Sequence, residues 1–304
     1  MSTKARSLAG RGGLLAVVVV SYNRRELLLE CCRSVCAAAP QARLIVVDNA
    51  SSDGSAEAVR QAIPQARVID AGANLGFARA INLGAAAASS ESLLLLNSDT
   101  RIEAPAIAAL CSAIDADPQV AGAGPRLRGD QGALELSVGR TMGLLNEAWF
   151  KILGTLHRNG RGVATGWLER RYARRRTTGS LSAACLLLRR KAFDQAGGMD
   201  ERFFLYAEDV DLCLRLSGLG WRFLYVPEAT VHHVRGASSE LDAGATEHAY
   251  RASQLAFYRK HHSAAHVIVL RLYLAAQYSA AVVVSRGCTR DRARAMLNWC
   301  LHPD

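Results

Sequence analysis

The stretch LLAVVVVSYNRRELLLECCRSVCAAAPQARLIVVDNASSDGS (residues 14–55) reads as strand, helix, strand and turn. Seven apolar residues from Leu14 to Val20, rich in β-branched valine, form a strand buried on both faces, and the polar triplet Ser21-Tyr22-Asn23 ends it. A helix-like segment at 24–38 and a second apolar run at 43–48 follow, closed by the turn-forming DNASSDGS at 48–55. The alternation continues with helix 54–62, strand 66–70, helix 76–87, strand 92–96, helix 104–116 and strand 119–124. It predicts an α/β fold, a mostly parallel sheet flanked by helices, with ligands at the carboxyl ends of the strands. Lys4, Arg6 and Arg11 ahead of Leu14 imitate a signal peptide, but no small-residue cleavage site follows, so the run is read as the first strand.

At 304 residues the chain is long enough for about two domains. Half of it is hydrophobic, which excludes a disordered chain, and 37 basic against 27 acidic residues give a net charge of +10. That balance suits phosphates or an anionic lipid surface, while the lack of an aromatic-flanked basic stripe argues against nucleic acid. Cys31, Cys32 and Cys36 cluster without a C-x-x-C pair, so the cysteines are read as reduced and the protein as cytoplasmic, peripheral at most at the inner face of the plasma membrane.

Regularity fades between Pro125 and Thr178, and the arginine-rich RNGRGVATGWLERRYARRR (158–176) reads as a mobile excursion. It suits either a lipid-diphosphate acceptor or plain solvent. Strands resume at 181–188 and 222–226, separated by a helix on which Asp209, Leu212, Leu216 and Leu219 share one stripe. Three parts result: a flexible N-terminus at 1–13, a catalytic domain at 14–238, and a C-terminal helical extension at 239–304. In that extension the apolar 264–285, interrupted by Arg271 and Gln277, is read as a helix packed on the catalytic domain, ahead of an interfacial membrane helix.

The sequence contains no G-x-G-x-x-G, P-loop, G-x-S-x-G or H-E-x-x-H motif. Phosphate chemistry here calls for a cation and carboxylates. Asp48 and Asp99 each follow an apolar run, where a carboxylate meets a ligand or caps a helix. Asp209, at the start of its stripe, faces inward as a general base would, while Asp211 pairs with Arg215 on a solvated face. Of the adjacent His232 and His233, only one can face a given side of an extended chain.

Six strings in order carry a resemblance: VVVVSYN (17–23), VVDNASSDGS (46–55), NLGFARAIN (74–82), LLLLNSDT (93–100), GGMDERFFLYAEDVDLCLRLSGLGWRF (197–223) and VPEATVHHVRGAS (226–238). Together they resemble the inverting family 2 glycosyltransferases of GT-A fold, in particular their bacterial rhamnosyltransferase-like branch. The resemblance implies a nucleotide-sugar donor, Mg²⁺ or Mn²⁺, and a saccharide or lipid-linked acceptor of the cell envelope, with dTDP-rhamnose as the donor. It further implies donor contacts from Ser21, Asn23, Asp48, Asn74, Gly76 and Asn97, metal ligation by Asp99 and His233, and Asp209 as base with Glu208 beside the acceptor. Asn97 stands where the family's first D-x-D aspartate would be, and Ala183 in LSAAC (181–185) where glycine is usual. A non-catalytic nucleotide-sugar module and a metal-dependent nucleotidyltransferase are the rival readings.

Overall fold

The computed structural model describes residues 15–129, 132–139, 162–234 and 243–302, with separate positions between 141 and 155. The flexible terminus expected at 1–13, the boundary expected near 236–242, and Arg158 and Arg161 lie outside the described residues.

Among the described residues nine strands form one mixed sheet. β1 (Leu15–Ser21) is flanked by β2 (Arg43–Asp48) and β4 (Ser92–Asn97), with β3 (Arg67–Asp70) outside β2, and all these pairings are parallel. Beyond β4 come β10 (Cys185–Arg189), β6 (Val120–Arg128), β11 (Arg222–His233) and the short β5 (Thr100–Arg101). β10 runs antiparallel to both neighbours, whereas β6 and β11 are again parallel. β8 (Arg176–Thr178) edges β11, and β7 (Val138–Gly139) pairs with β9 (Ser180–Leu181) in a separate ribbon.

The period of two along each strand divides the core. Val17, Val19, Val46, Leu94 and Leu96 face α1 (Arg25–Ala38) and α4 (Ala104–Asp115). Val18, Ile45, Val47, Leu93 and Leu95 face the other layer, which includes α3 (Phe77–Ala86). Each such side chain, fully removed from water, stabilises the fold by about 1.5–3 kcal/mol. Between α1 and β3 lies α2 (Ser55–Ala62). Asp53 accepts the Arg25 backbone N–H at 3.0 Å, capping α1 from the loop after β2.

The arginine-rich stretch differs from the expected mobile excursion. Residues Gly162–Tyr172 are helical (α5), anchored by buried Leu168 and Tyr172. Arg176 lies over the Tyr172 and Tyr225 rings at 5.0 and 4.8 Å. α6 (Arg190–Gln195) follows β10, and α7 (Glu208–Gly218) precedes β11. Leu212 and Leu216 of α7 are buried, but Leu219 is exposed because the helix ends at Gly218, so the expected stripe is one residue shorter.

Three helices end the chain: α8 (Ala243–His261), α9 (Ala264–Val284) and α10 (Gly287–Leu301). They share a third core with Phe203 and Ala207 of the loop before α7. The packing expected of 264–285 is therefore present on one face only, through Leu270, Leu274 and Tyr278. By length and a mean hydropathy of 1.8, α9 passes as a membrane span, which its interrupted sequence did not suggest. All eight cysteines are free thiols.

Candidate active site

A cavity of about 750 Å³ opens over the carboxyl ends of β1 and β4, within the usual range of small-ligand sites. The chain runs from β1 outward to β3 and then returns to the other side of β1 with β4, so the cavity sits where the strand order reverses.

On the donor side β1 and β2 end in register, Ser21 opposite Asp48. Ser51 donates to Asp48 through its backbone N–H (2.9 Å) and hydroxyl (2.5 Å), an Asx-type turn. Asn23, in the left-handed region at φ 51°, accepts the Ser52 N–H at 2.7 Å and so fastens the two loops together. Ser21, Asn23 and Asp48 brace these loops and are not among the residues that line the cavity. Tyr22 and Asn49, one position on from Ser21 and Asp48, line the cavity. Two buried polar atoms here, Ser21 Oγ and Asn49 Oδ1, have no protein partner. Asn74 and Gly76 do line the cavity, and Asn74 accepts the Gly76 N–H at 3.1 Å. Gly76 has φ +79°, and a Cβ there would stand 2.3 Å from the Phe204 carbonyl oxygen, so only glycine fits.

Opposite lies a bridged set of ionisable groups. His233 Nε2 is 3.2 Å from Asp99 Oδ1 and 3.4 Å from Asn97 Nδ2, and Nδ1 is 3.0 Å from Glu135 Oε2. Two features of the backbone assemble it. A register shift in β11 between Val226 and Thr230 bends the strand toward β5, pairing His233 with Thr100. Past the end of β6 the chain turns back at Gly129, so that Glu135 N–H bonds Leu127 O at 3.0 Å. The alternation read in the sequence holds, since His232 is exposed and His233 buried. Burial alone would lower the imidazole pKa, but the hydrogen bonds to Asp99 and Glu135 and their charges outweigh it, holding the ring protonated up to about 9.

These residues fit a divalent cation. Glu135 on Nδ1 is the second partner that would orient a metal-bound imidazole, and a cation on Nε2 would displace the proton that Nε2 shares with Asp99. Among the described residues no three His, Cys, Asp or Glu side chains form a closed metal cage. Asp99 and His233 would therefore supply two ligands and the substrate's phosphate oxygens the rest, the usual pattern for Mg²⁺ and Mn²⁺.

The third wall carries the acid pair. Tyr206 and Ala207, both left-handed at φ 68° and 69°, swing the chain so that α7 begins at the cavity with Glu208 and Asp209. Two consecutive non-glycine residues in that region cost about 1–3 kcal/mol each. Asp209 accepts the Ala183 and Val210 N–H groups at 3.1 and 2.7 Å. Burial pushes its pKa up, against the lowering effect of these backbone donors. Glu208 is raised further, by burial and then by the charge of Asp209, and its buried Oε2 has no partner. Ala183 serves where glycine was expected because its φ is not positive.

One expectation fails here. Asp211 is fully buried, not solvated: its carboxylate accepts Arg215 Nε at 2.7 Å, Lys260 Nζ at 2.5 Å and His261 Nε2 at 2.7 Å. Of the arginines at 170–176, none lines the cavity. Instead α8 closes it with Ala245, Thr246, Ala249 and Tyr250, the last edge-on to Tyr206 at 5.5 Å. Neither this wall nor Glu135 was evident in the sequence. A clue to Glu135 lies in its LEL context, where a polar residue alternates with leucines.

The chain matches the model of Glycosyl transferase family 2 over residues 16–197. Over 262 residues it is 32% identical to the N-acetylglucosaminyl-diphospho-decaprenol L-rhamnosyltransferase of Mycobacterium tuberculosis, covering 82% of this chain and 85% of that one. The fold is similar to that of the mannosyltransferase PcManGT from Pyrobaculum calidifontis, solved with GDP-Man and Mn²⁺ (TM-score 0.53, 16% identity, 95% of this chain and 87% of that one). It is also similar to GalNAc-T7, solved with UDP, GalNAc and Mn²⁺ (TM-score 0.57, 14% identity, 95% and 56%). A mixed sheet whose carboxyl edge brings Asp99 and Asp209 to one cavity is thus the GT-A architecture, and the chain is a glycosyltransferase belonging to family 2.

Proposed function

We propose that the protein transfers L-rhamnose from dTDP-rhamnose to a hydroxyl of a lipid-linked saccharide of the cell envelope, with inversion at the anomeric carbon. The observation that carries this reading is one cavity with the Asp99–His233–Glu135 set on one wall and the Glu208–Asp209 pair on another. The likeness to the mycobacterial rhamnosyltransferase supports the choice of sugar and of a lipid-linked acceptor. The eight free thiols fit a reducing, cytoplasmic setting.

In this mechanism the nucleotide lies against Tyr22, Asn49, Asn74 and Gly76, on loops braced by Ser21, Asn23 and Asp48. Asp99 and His233 would hold a divalent cation, which would offset the charge on the leaving diphosphate. Asn97, a neutral amide, contacts His233 and the donor without adding charge. Asp209 takes the proton of the acceptor hydroxyl as its oxygen attacks the anomeric carbon. The bond from that carbon to the phosphate oxygen breaks on the opposite face, releasing the nucleoside diphosphate and inverting the centre. The raised pKa of Asp209 suits a base near neutral pH, because a carboxylate too weak to hold a proton takes one poorly. Glu208, its pKa pushed up by burial and by the charge of Asp209, would donate a hydrogen bond to the acceptor when protonated.

The test is turnover of UDP-, dTDP- and GDP-sugars with Mg²⁺, Mn²⁺ or EDTA, with calorimetry of donor binding in parallel. Cation-dependent turnover of dTDP-rhamnose, lost in Asp99→Ala and in Asp209→Asn while Asp209→Asn still binds donor, is the expected result. Binding of no nucleotide sugar with any cation would overturn the reading.

A further inference from the structure

We infer that the outward face of α9 docks on an anionic lipid bilayer, the helix lying in the plane of the interface. The inference stands apart from the choice of sugar and acceptor. Only the stripe Leu270, Leu274 and Tyr278 of this 21-residue helix is buried. The opposite side exposes Ile268, Val269, Leu272, Val283 and Val284, the last three at 66%, 76% and 80%. An apolar strip of that length on a single helix is much more than the scattered hydrophobic residues of an ordinary surface.

The one charge within α9 has been turned away from this strip. Arg271 donates to the Cys300 and Leu301 carbonyl oxygens at 3.0–3.3 Å, closing the carboxyl end of α10. Cations gather where the strip ends. Arg286 follows Val284 almost directly, and on α10 Arg292 stands exposed and Arg294, also exposed, pairs with Asp291 at 3.8 Å. An apolar helix face bordered by arginines is complementary to acyl chains beneath an anionic headgroup layer.

A spanning pose conflicts with the packing. Crossing the bilayer would withdraw Leu270, Leu274 and Tyr278 from the core they share with Leu255, Tyr258 and Met296. It would also break the Tyr278 bond to Glu247 at 2.6 Å and that from Arg251 at 3.1 Å. Lying flat preserves all of these.

The test is flotation of the full chain with vesicles of phosphatidylcholine alone or mixed with phosphatidylglycerol, at low and high salt. Wild type should float with the mixed vesicles and release at high salt. The combined Ile268→Glu, Leu272→Glu and Val283→Glu variant should remain at the bottom with an unchanged melting profile, and Leu272→Glu alone serves should the combined variant melt early. Arg286→Gln, Arg292→Gln and Arg294→Gln should each weaken partition about fivefold at low salt. Flotation unaffected by the glutamates, or equal on both vesicles, would overturn the inference. So would a lipid-free dimer, seen by sedimentation velocity, that the glutamates convert to monomer, because the face would then belong to a second copy.

Discussion

Replacing Asp211 by alanine should destabilise the protein although the residue touches no substrate. Its carboxylate is fully buried and accepts bonds from Arg215, Lys260 and His261, joining α7 to α8. Removing one partner of a buried ionic cluster costs about 3–5 kcal/mol, because the remaining charges stay desolvated. The lower end applies here. Lys260 keeps Asp200 at 2.7 Å, and Arg215 keeps the Ala196 and Gly198 carbonyls. With about 2.1 cal/mol/K of unfolding entropy per residue over 304 residues, a ~3 kcal/mol loss lowers Tm by about 5 °C. The hydrogen bonds from Lys260, His261 and Arg215 outweigh burial and hold the Asp211 pKa below its unfolded value. Its stabilisation is therefore complete above the unfolded carboxylate pKa of about 3.9 and fades as pH falls through that value toward the folded one. Differential scanning fluorimetry from pH 7 down to 3 should show the gap between wild type and variant closing below about pH 4. A Tm within 1 °C of wild type at pH 7, or a gap that stays constant with pH, would refute the reasoning.

Glu135→Gln should reduce turnover and cation affinity about 10–100-fold with Tm little changed, measured by steady-state kinetics across a Mn²⁺ titration. Asp209→Asn should lower kcat by about 10²–10⁴-fold while donor affinity, read by calorimetry, is retained. Gly76→Ala forces a Cβ against the Phe204 carbonyl at positive φ and should cost about 1–3 kcal/mol together with donor binding, checked by chemical denaturation and calorimetry. Tyr250→Ala should raise KM for the acceptor with the donor KM unchanged, since Tyr250 lies on the α8 wall.

Periodicity made the strands and helices between 14 and 124 legible, because the apolar runs of β1, β2 and β4 are covered on both faces and the polar turns between elements stand out. The same alternation separated His233 from His232. Asp99 and Asp209 were legible as carboxylates at the end of a strand and at the head of an apolar helix stripe. Asp211 was misread because its spacing to Arg215 is that of any surface pair. The side chains that enclose it, Lys260 and His261, are 49 and 50 residues downstream. Glu135 escaped notice because its position depends on a hairpin in a stretch with no repeat, and its partner His233 is 98 residues away. The wall from α8 could not be read either, since its small residues look the same whether they face a cavity or a neighbouring helix.

The meeting of Gly76 with Phe204 bears on how such enzymes can be recombined. The Phe204 carbonyl accepts the Phe77 N–H at 2.8 Å and lies against the one residue of that loop that tolerates no side chain. The loop before α3 and the loop before α7 are therefore fitted to each other at backbone level. Phe203, next to Phe204, is in turn seated among the C-terminal helices. A chimera spliced near residue 197, where the match to the family model ends, would divide this contact between two parents. Exchanging donor specificity between relatives then requires transplanting residues 74–77 and 203–207 as a matched set, or the new donor half will meet a loop shaped for another.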